Sequence, residues 1–342
     1  MLAYILKRLA LMIPTLLGAL TVTFVVIQFV PGGPVEQALA EARFGVRGGA
    51  YKARGDTDAK QIEELKKLYG FDKPAHVRYV EMLGNFARFD LGRSFSHDRP
   101  VWDLIKEKLP VSLSLGLWTF LLTYLISLPL GVAKAVREGS HFDAATTVLI
   151  LIGYAIPGFV LGVFLIVLFA GGTFLEWFPL RGLTSDNWAE LTWGARIRDY
   201  FWHLTLPLTC YVIESFAVVT LLTKNTFIEE MRKQYVLVAR AKGLTQRRVL
   251  FKHIFRNALI PIVTGLPAAF IGAFFAGSLL IENLFSLDGL GLLSYESVIR
   301  RDYPVVLGSL YLFTLIGLVV KLASDLLYVV VDRRLQFGEV AR

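Results

Sequence analysis

Apolar residues in this chain gather into long uninterrupted runs instead of alternating with polar ones. Leu9–Val30, Val111–Ala133, Ala144–Ala170 and Ala258–Ile281 carry no charged residue. Each reaches the roughly 20 residues that a helix needs to cross a bilayer core. Leu204–Leu222 and Val306–Val331 are of similar length but include charges. The pattern predicts an all-α integral membrane protein with six transmembrane helices: residues 9–30, preceded by a short N-terminal segment in 1–30, then 111–133, 144–170, 204–222, 258–281 and 306–331. The first run is too long for the h-region of a signal peptide, although Ala38-Leu39-Ala40 resembles a cleavage site, so it reads as a retained first span.

Between spans one and two lies a long polar segment, residues 31–110. Its first part, "EARFGVRGGAYKARGDT", has the glycine and charge content of a loop. Further on, "DAKQIEELKKLYGF" places Ile62, Leu65 and Leu68/Tyr69 at helical spacing, with Gly70 as the stop. This predicts a small external subdomain that serves as a cap or partner surface. The remainder, residues 111–342, reads as the membrane core with a tail at 332–342.

Composition supports the membrane reading. Hydrophobic residues make up 55% of the 342, and mean hydropathy is +0.55, above what soluble domains of ordinary composition show. The single cysteine, Cys210, excludes an intrachain disulfide and a cysteine-based metal cluster, and its apolar setting marks it as a packing residue.

The net charge of +8 matters through its placement. Lys7 and Arg8, Lys134 and Arg137, nine basic residues between Lys224 and Asn257, and Arg333, Arg334 and Arg342 all fall on one side of a six-span layout. Short loops on the other side hold Arg181, Arg196 and Arg198 in 171–203, and Arg300 and Arg301 in 282–305. The excess of positive charge predicts that both termini are cytoplasmic. Residues 31–110, with 14 Lys/Arg and 12 Asp/Glu, are too long to count against this.

Prolines 14, 129, 157, 207, 261 and 267 and glycines 153, 158, 162, 265, 272 and 277 punctuate the spans. Close helix packing is the plainer explanation, and flexing around a translocation path the functional one. Three charges lie deep in the spans: Glu214, Lys321 and Asp325. Such groups need partners or water. The expectation is a cross-helix pair between Glu214 and Lys321, with Asp325 nearer the cytoplasmic end and a path-lining role for Glu214 as the competing reading. The five histidines, His76, His97, His141, His203 and His253, fall in loops, which argues against a proton relay.

Motifs of hydrolytic chemistry are missing. There is no Gly-Lys-Ser/Thr phosphate loop, no G-x-S-x-G, no H-E-x-x-H and no paired cysteine motif. "SHFD" at 140–143 reads as a polar turn. No catalytic or metal-ligating residue is expected, and if the chain moves a solute actively, the work enters from elsewhere.

The stretch "QYVLVARAKGLTQRRVLFKHIFRN" at 234–257 is the strongest functional candidate. Phe227–Ala241 reads as one amphipathic helix, Gly243 permits a reversal, and Thr245 can cap a second helix running through Asn257. Val249, Leu250, Ile254 and Phe255 give that second helix an apolar side. A DNA-reading helix must be free to enter the major groove, which a short loop tied to two spans does not allow, so no nucleic-acid partner is expected.

The run "ARAKGLTQRRVLFKHIFRNALIPIVT" resembles the cytoplasmic coupling loop of binding-protein-dependent ABC importer permeases, in the version found in peptide permeases. Ala239, Gly243, His253, Arg256, Asn257 and Pro261 stand where that family's loop has them, while Leu237-Val238-Ala239 replaces the Glu-Ala-Ala start. "YGFDKP" (69–74), "FDLGRSF" (89–95), "IPGF" (156–159), "IENLFSLDGLGLL" (281–293) and "RRDYPVVLGSLY" (300–311) are similar to the dipeptide/oligopeptide permease pattern. "PGGPVEQALA", "FAGGTFLEWFPLRGL" and "TKNTF" resemble the branch associated with peptide and microcin C uptake. "DRR" at 332–334 departs from the family's Asp-Pro-Arg.

The resemblance implies a type I ABC importer permease fold in a bacterial inner membrane. It implies a second homologous permease subunit, ABC ATPase subunits that bind ATP and Mg, and a periplasmic binding protein that delivers peptide to this lipid-embedded path. No cofactor is implied in this chain, and the ATPase-coupling residues would be Ala239, Arg240, Ala241, Lys242, Gly243 and Leu244. Residues 31–110, 171–203 and 282–305 would receive the binding protein.

Overall fold

The computed structural model of the chain describes residues 2–30, 33, 35, 63, 67, 70–172, 174–275 and 279–331. Most of the 31–69 segment therefore lies outside the described residues, as do the helix proposed around Ile62, Leu65 and Leu68/Tyr69, Gly277, and the 332–342 tail with its "DRR". The described residues are helical, without a named strand: α1 (Leu2–Phe29), α2 (Ala75–Phe86), α3 (Val101–Val136), α4 (His141–Ala155), α5 (Gly158–Phe169), α6 (Trp193–Met231), α7 (Gln234–Ala241), α8 (Gln246–Val249), a π turn (Leu250–Ile254), α9 (Phe255–Ala258), α10 (Ile260–Phe275), α11 (Leu279–Leu284), α12 (Leu290–Ile299) and α13 (Tyr303–Val331).

Four helices are long and apolar enough to cross a membrane, and six spans result if each of two bent pairs counts as one. Several helices overrun the apolar stretches that announced them. α6 begins eleven residues before Leu204, so His203 sits inside a helix, with its ring Nδ1 2.9 Å from the Asp199 carbonyl oxygen. His76 and His141 are also helical, not in loops as expected from sequence.

The third predicted span, Ala144–Ala170, is broken: α4 and α5 meet at 92°. Pro157 supplies no N–H and drives its predecessor out of helical geometry, and Ile156 is extended at φ −89° and ψ 116°. A second bend, of 49°, stands at the start of the fifth span, where Gln246–Ala258 meets Ile260–Gly272.

The chain forms two compact units. One comprises residues 110–291 and the chain from 319 onward. Its core buries Leu204, Leu208, Cys210, Ile281, Phe285 and Leu287. Small residues bring its helices close. A Cβ added at Gly131 would lie 2.5 Å from the Thr223 Cβ, and one at Gly162 would lie 2.7 Å from a Leu284 methyl. Among the described residues of this chain, no neighbour lies within 4 Å of such a Cβ at Gly265 or Gly272. The second unit comprises residues 2–109 and 292–318, a wider grouping than the 31–110 segment. There, the buried Asp302 carboxylate accepts the Ser94 hydroxyl (2.5 Å) and the amides of Phe95 and Ser96 (3.0 Å each). The Arg78 guanidinium lies over the Phe71 ring at 4.4 Å and donates to the Gln28 amide oxygen at 2.7 Å. These residues border a groove of about 800 Å³.

Candidate functional site

The stretch after α6 folds as two helices and a turn, with one departure from the sequence reading. Phe227–Ala241 is not one helix: α6 ends at Met231, Lys233 is extended, and α7 starts at Gln234. On a continuous helix at 100° per residue, Phe227 and Val236 would point about 180° apart. The break lets both enter one core, where Phe227, Val236, Ala239, Val249, Ile254 and Ala258 are all buried. The Phe255 ring meets the Phe227 ring edge-on at 5.6 Å.

Gly243 follows α7 with φ +81°, a left-handed conformation that costs a side-chain-bearing residue about 1–2 kcal/mol. The Thr245 hydroxyl then accepts the Arg248 amide at 3.4 Å, capping α8. The second helix runs on through the π turn to Ala258. Val249 and Ile254 are five residues apart, about 140° on a regular α-helix, and the wider π turn brings both toward the same core.

Two polar clusters fasten this assembly. Glu230, 6% exposed at the end of α6, accepts the Tyr235 hydroxyl at 2.6 Å and the Lys233 ammonium. Asn257 donates its side-chain amide to the Tyr235 oxygen at 3.2 Å. Burial and the hydrogen bond to Glu230 push the Tyr235 phenol up to about 12, so it remains a donor at any physiological pH. One network thereby ties α7 back to α6 and forward to α9. The second cluster centres on Lys134, whose side chain is fully buried. Its ammonium donates to the Asp143 carbonyl (2.8 Å), Thr146 (2.8 Å) and Thr147 (2.7 Å), and pairs with the Asp143 carboxylate at 3.0 Å. Lys224 reaches the same carboxylate at 2.7 Å, joining α3, α4 and α6. The "SHFD" turn is the cap of α4, with the Ser140 hydroxyl accepting the Asp143 amide.

The six residues singled out as levers do not share one environment. Arg240, Ala241, Lys242 and Gly243 are exposed. Leu244 is half-buried and packs on the core. Ala239 faces inward at 7% exposure, so the turn does not offer it to a partner. Leu237 and Val238, passed over in sequence, stand out at 60% and 53% exposure. The reason is periodicity: Val236-Leu237-Val238-Ala239 is apolar on every face of a short helix.

The intramembrane charges are also arranged differently from the expected pair. No ion pair joins Glu214 to Lys321 among the described residues. Glu214 instead accepts the Gly158 amide at 2.7 Å. That amide belongs to the first residue of α5, freed by the Pro157 break, where the helix end carries partial positive charge. Lys321 is exposed on α13, and Asp325 lies one turn further along, half-buried. No group of three or more His, Cys, Asp or Glu suited to a metal occurs among the described residues.

An all-α chain with up to six spans and a latched two-helix turn between two of them has the build of a transporter's membrane subunit. The chain belongs to the family of binding-protein-dependent transport system inner membrane components, whose pattern matches residues 127–337. It is 54% identical to the peptidoglycan transport system permease protein YejB of Agrobacterium fabrum, over 98% of both chains. Identity is 49% to the inner membrane ABC transporter permease protein YejB of Escherichia coli O157:H7, covering 98% of this chain and 99% of the relative. It is 34% to the oligopeptide transport system permease protein AppB of Bacillus subtilis, covering 98% and 100%. The protein is therefore a multi-pass inner-membrane permease.

Proposed function

We propose that this chain is the permease subunit of an ATP-driven importer that carries peptides from periplasm to cytoplasm by alternating access. Its relatives support the transport class: one is named for oligopeptides and another for peptidoglycan. Peptides, peptide-bearing wall fragments and microcin C-like peptide antibiotics share the chemistry such a path would accept. A second permease completes the path, a periplasmic binding protein delivers cargo, and separate ATPase subunits bind ATP and Mg. Both termini face the cytoplasm.

One observation carries the coupling role: α7 and its turn expose Leu237, Val238, Arg240, Ala241 and Lys242 while their inner side is latched to α6 and α9. A partner that moves this turn moves the ends of two spanning segments with it. Arg240 and Lys242 can meet acidic or carbonyl groups at a groove rim while Leu237, Val238 and Ala241 seat inside it. The test is to isolate the chain from its native membrane, identify what accompanies it, and measure which peptides raise ATP hydrolysis. Peptide transport in liposomes by this chain alone would replace the proposal with a stand-alone carrier or channel.

A further inference from the structure

Arg78, on α2, borders the groove of about 800 Å³ in the second unit. Four cations line that groove. Three of them have a carboxylate: Lys67 pairs with Glu63 at 3.0 Å, Lys73 with Glu81 at 2.7 Å and Arg93 with Asp98 at 3.3 Å. Those three are also exposed, so water serves them in any case. Arg78 is the one charged lining residue that is half-buried, and it pairs with no carboxylate among the described residues. Its acceptor is neutral, the Gln28 amide oxygen, and the Gln28 NH2 group is itself held by donating to the Phe24 carbonyl at 3.1 Å. The Arg78 Nε–H is shielded from solvent and meets no acceptor among the described residues. Burial pushes the guanidinium below its ordinary value, and the influence opposing it is the Tyr303 phenol, not a carboxylate. A cation desolvated to this extent and left without a counter-charge calls for an anion.

Two spans fix the depth of the groove independently. The charge-free run of α1, Leu9–Val30, is about 33 Å long, close to the roughly 30 Å of a bilayer core. Gln28 lies about 3 Å inside the end of that run, Ile27 about 1.5 Å deeper and Phe24 about 6 Å deeper than Gln28. On α13 the apolar stretch starts at Val306, with Leu307 just inside it and Tyr303 about 4.5 Å outside. Both sets line the same groove. Its apolar wall therefore stands at the edge of the hydrocarbon, and the Arg78 guanidinium, 2.7 Å from Gln28, stands at the boundary with a headgroup layer roughly 5–8 Å deep. Tyr79 reaches the other way, its hydroxyl 2.5 Å from that of Thr21, which lies about 10 Å below Gln28 along α1. The two side chains part as the membrane boundary requires, the cation toward the phosphates and the ring toward the acyl chains.

We infer that this groove binds a single phospholipid from the leaflet at the C-terminal end of α1, periplasmic in the orientation proposed above, with its phosphate against Arg78 and an acyl chain along Ile27 and Met82. The lipid supplies the counter-charge that the chain omits and ties α1 to α2 and to the start of α13. The inference needs only that α1 and α13 cross the membrane and is independent of what the chain transports.

The full chain in detergent, offered either a photoactivatable phosphatidylglycerol or the diacylglycerol with the same chains, provides the test. The phospholipid should label the peptides that carry α2 and the end of α1, and the diacylglycerol, which lacks the phosphate, should label them much less. One cation near an anionic lipid strengthens binding about fivefold. Arg78→Gln should therefore cut phosphatidylglycerol labelling below saturation by about fivefold and leave diacylglycerol labelling as it was. Asn85→Trp, exposed on the groove wall, narrows the groove without touching Arg78 and should also lower phospholipid labelling; it decides the matter if Arg78→Gln does not fold. Excess inorganic phosphate or trialanine should not displace the lipid. Equal labelling by the two probes, undiminished labelling in a folded Arg78→Gln or in Asn85→Trp, displacement by inorganic phosphate, which would mark a free-anion site, or displacement by trialanine, which would mark a cargo site, would each overturn the inference.

Discussion

Removing one oxygen from the Tyr235 latch isolates its contribution. Tyr235→Phe keeps the ring in its place and deletes the hydroxyl that donates to Glu230 at 2.6 Å and accepts from Asn257 at 3.2 Å. A hydrogen bond to a charged group contributes about 1.5–3 kcal/mol net. Lys233 still satisfies part of Glu230 in the variant, so the cost falls near the lower end, about 1.5 kcal/mol. That free energy corresponds to an increase of a little over tenfold in the population of turns detached from α6. Hydrogen–deuterium exchange on the full chain reads it directly. Amides of α7 should lose about tenfold in protection, while those in the middle of α6 stay as they are. Glu230→Ala should produce at least that loss, and the double variant should cost clearly less than the two single losses added, because both delete the same bond. Unchanged α7 exchange, or strictly additive losses, would refute the latch.

Gly243→Asn should be tolerated better than Gly243→Val, because asparagine enters the left-handed region at φ +81° far more readily than a β-branched residue; equal effects on α7 exchange would contradict the strain argument. Leu237→Asp and Val238→Asp should leave the thermal midpoint unchanged and lower the number of peptides moved per ATP, whereas Ala239→Leu should destabilise by about 1–3 kcal/mol through overpacking. Glu214→Gln should retain an acceptor for the Gly158 amide and fold normally, while Glu214→Leu should cost about 1–3 kcal/mol by orphaning that amide. A large loss in transport of cationic peptides by Glu214→Gln, without loss of stability, would assign Glu214 to the path instead.

The helical segments were legible because a bilayer demands length and apolarity, and both are visible in one dimension. Pro157 was visible too, but not what its break would do. A 92° bend leaves a helix end in the membrane region, and the residue that serves it, Glu214, lies 56 positions away. The same non-locality hid the latch, since Glu230, Tyr235 and Asn257 obey no single helical spacing. Gly243 and Thr245 were legible because a left-handed turn and an N-cap each favour few residue types, and both stand where they were expected. That Ala239 is buried while Leu237 and Val238 are exposed could not be read from the sequence, because a short helix with four successive apolar residues offers no periodic signal. The break after Met231 settles which side turns inward, and it depends on Phe227 and Val236 sharing a core.

Partner contact through the outer face of α7 is the central claim, and site-directed crosslinking in membranes containing the assembled transporter tests it most directly. Cysteines placed at Leu237 and Val238 should crosslink to an ATPase subunit, with a yield that changes when ATP is added, while cysteines at the buried Val236 and Ala239 should not. Crosslinks from Val236 or Ala239 in preference to Leu237 and Val238, or no ATPase crosslink from any of the four, would contradict the account.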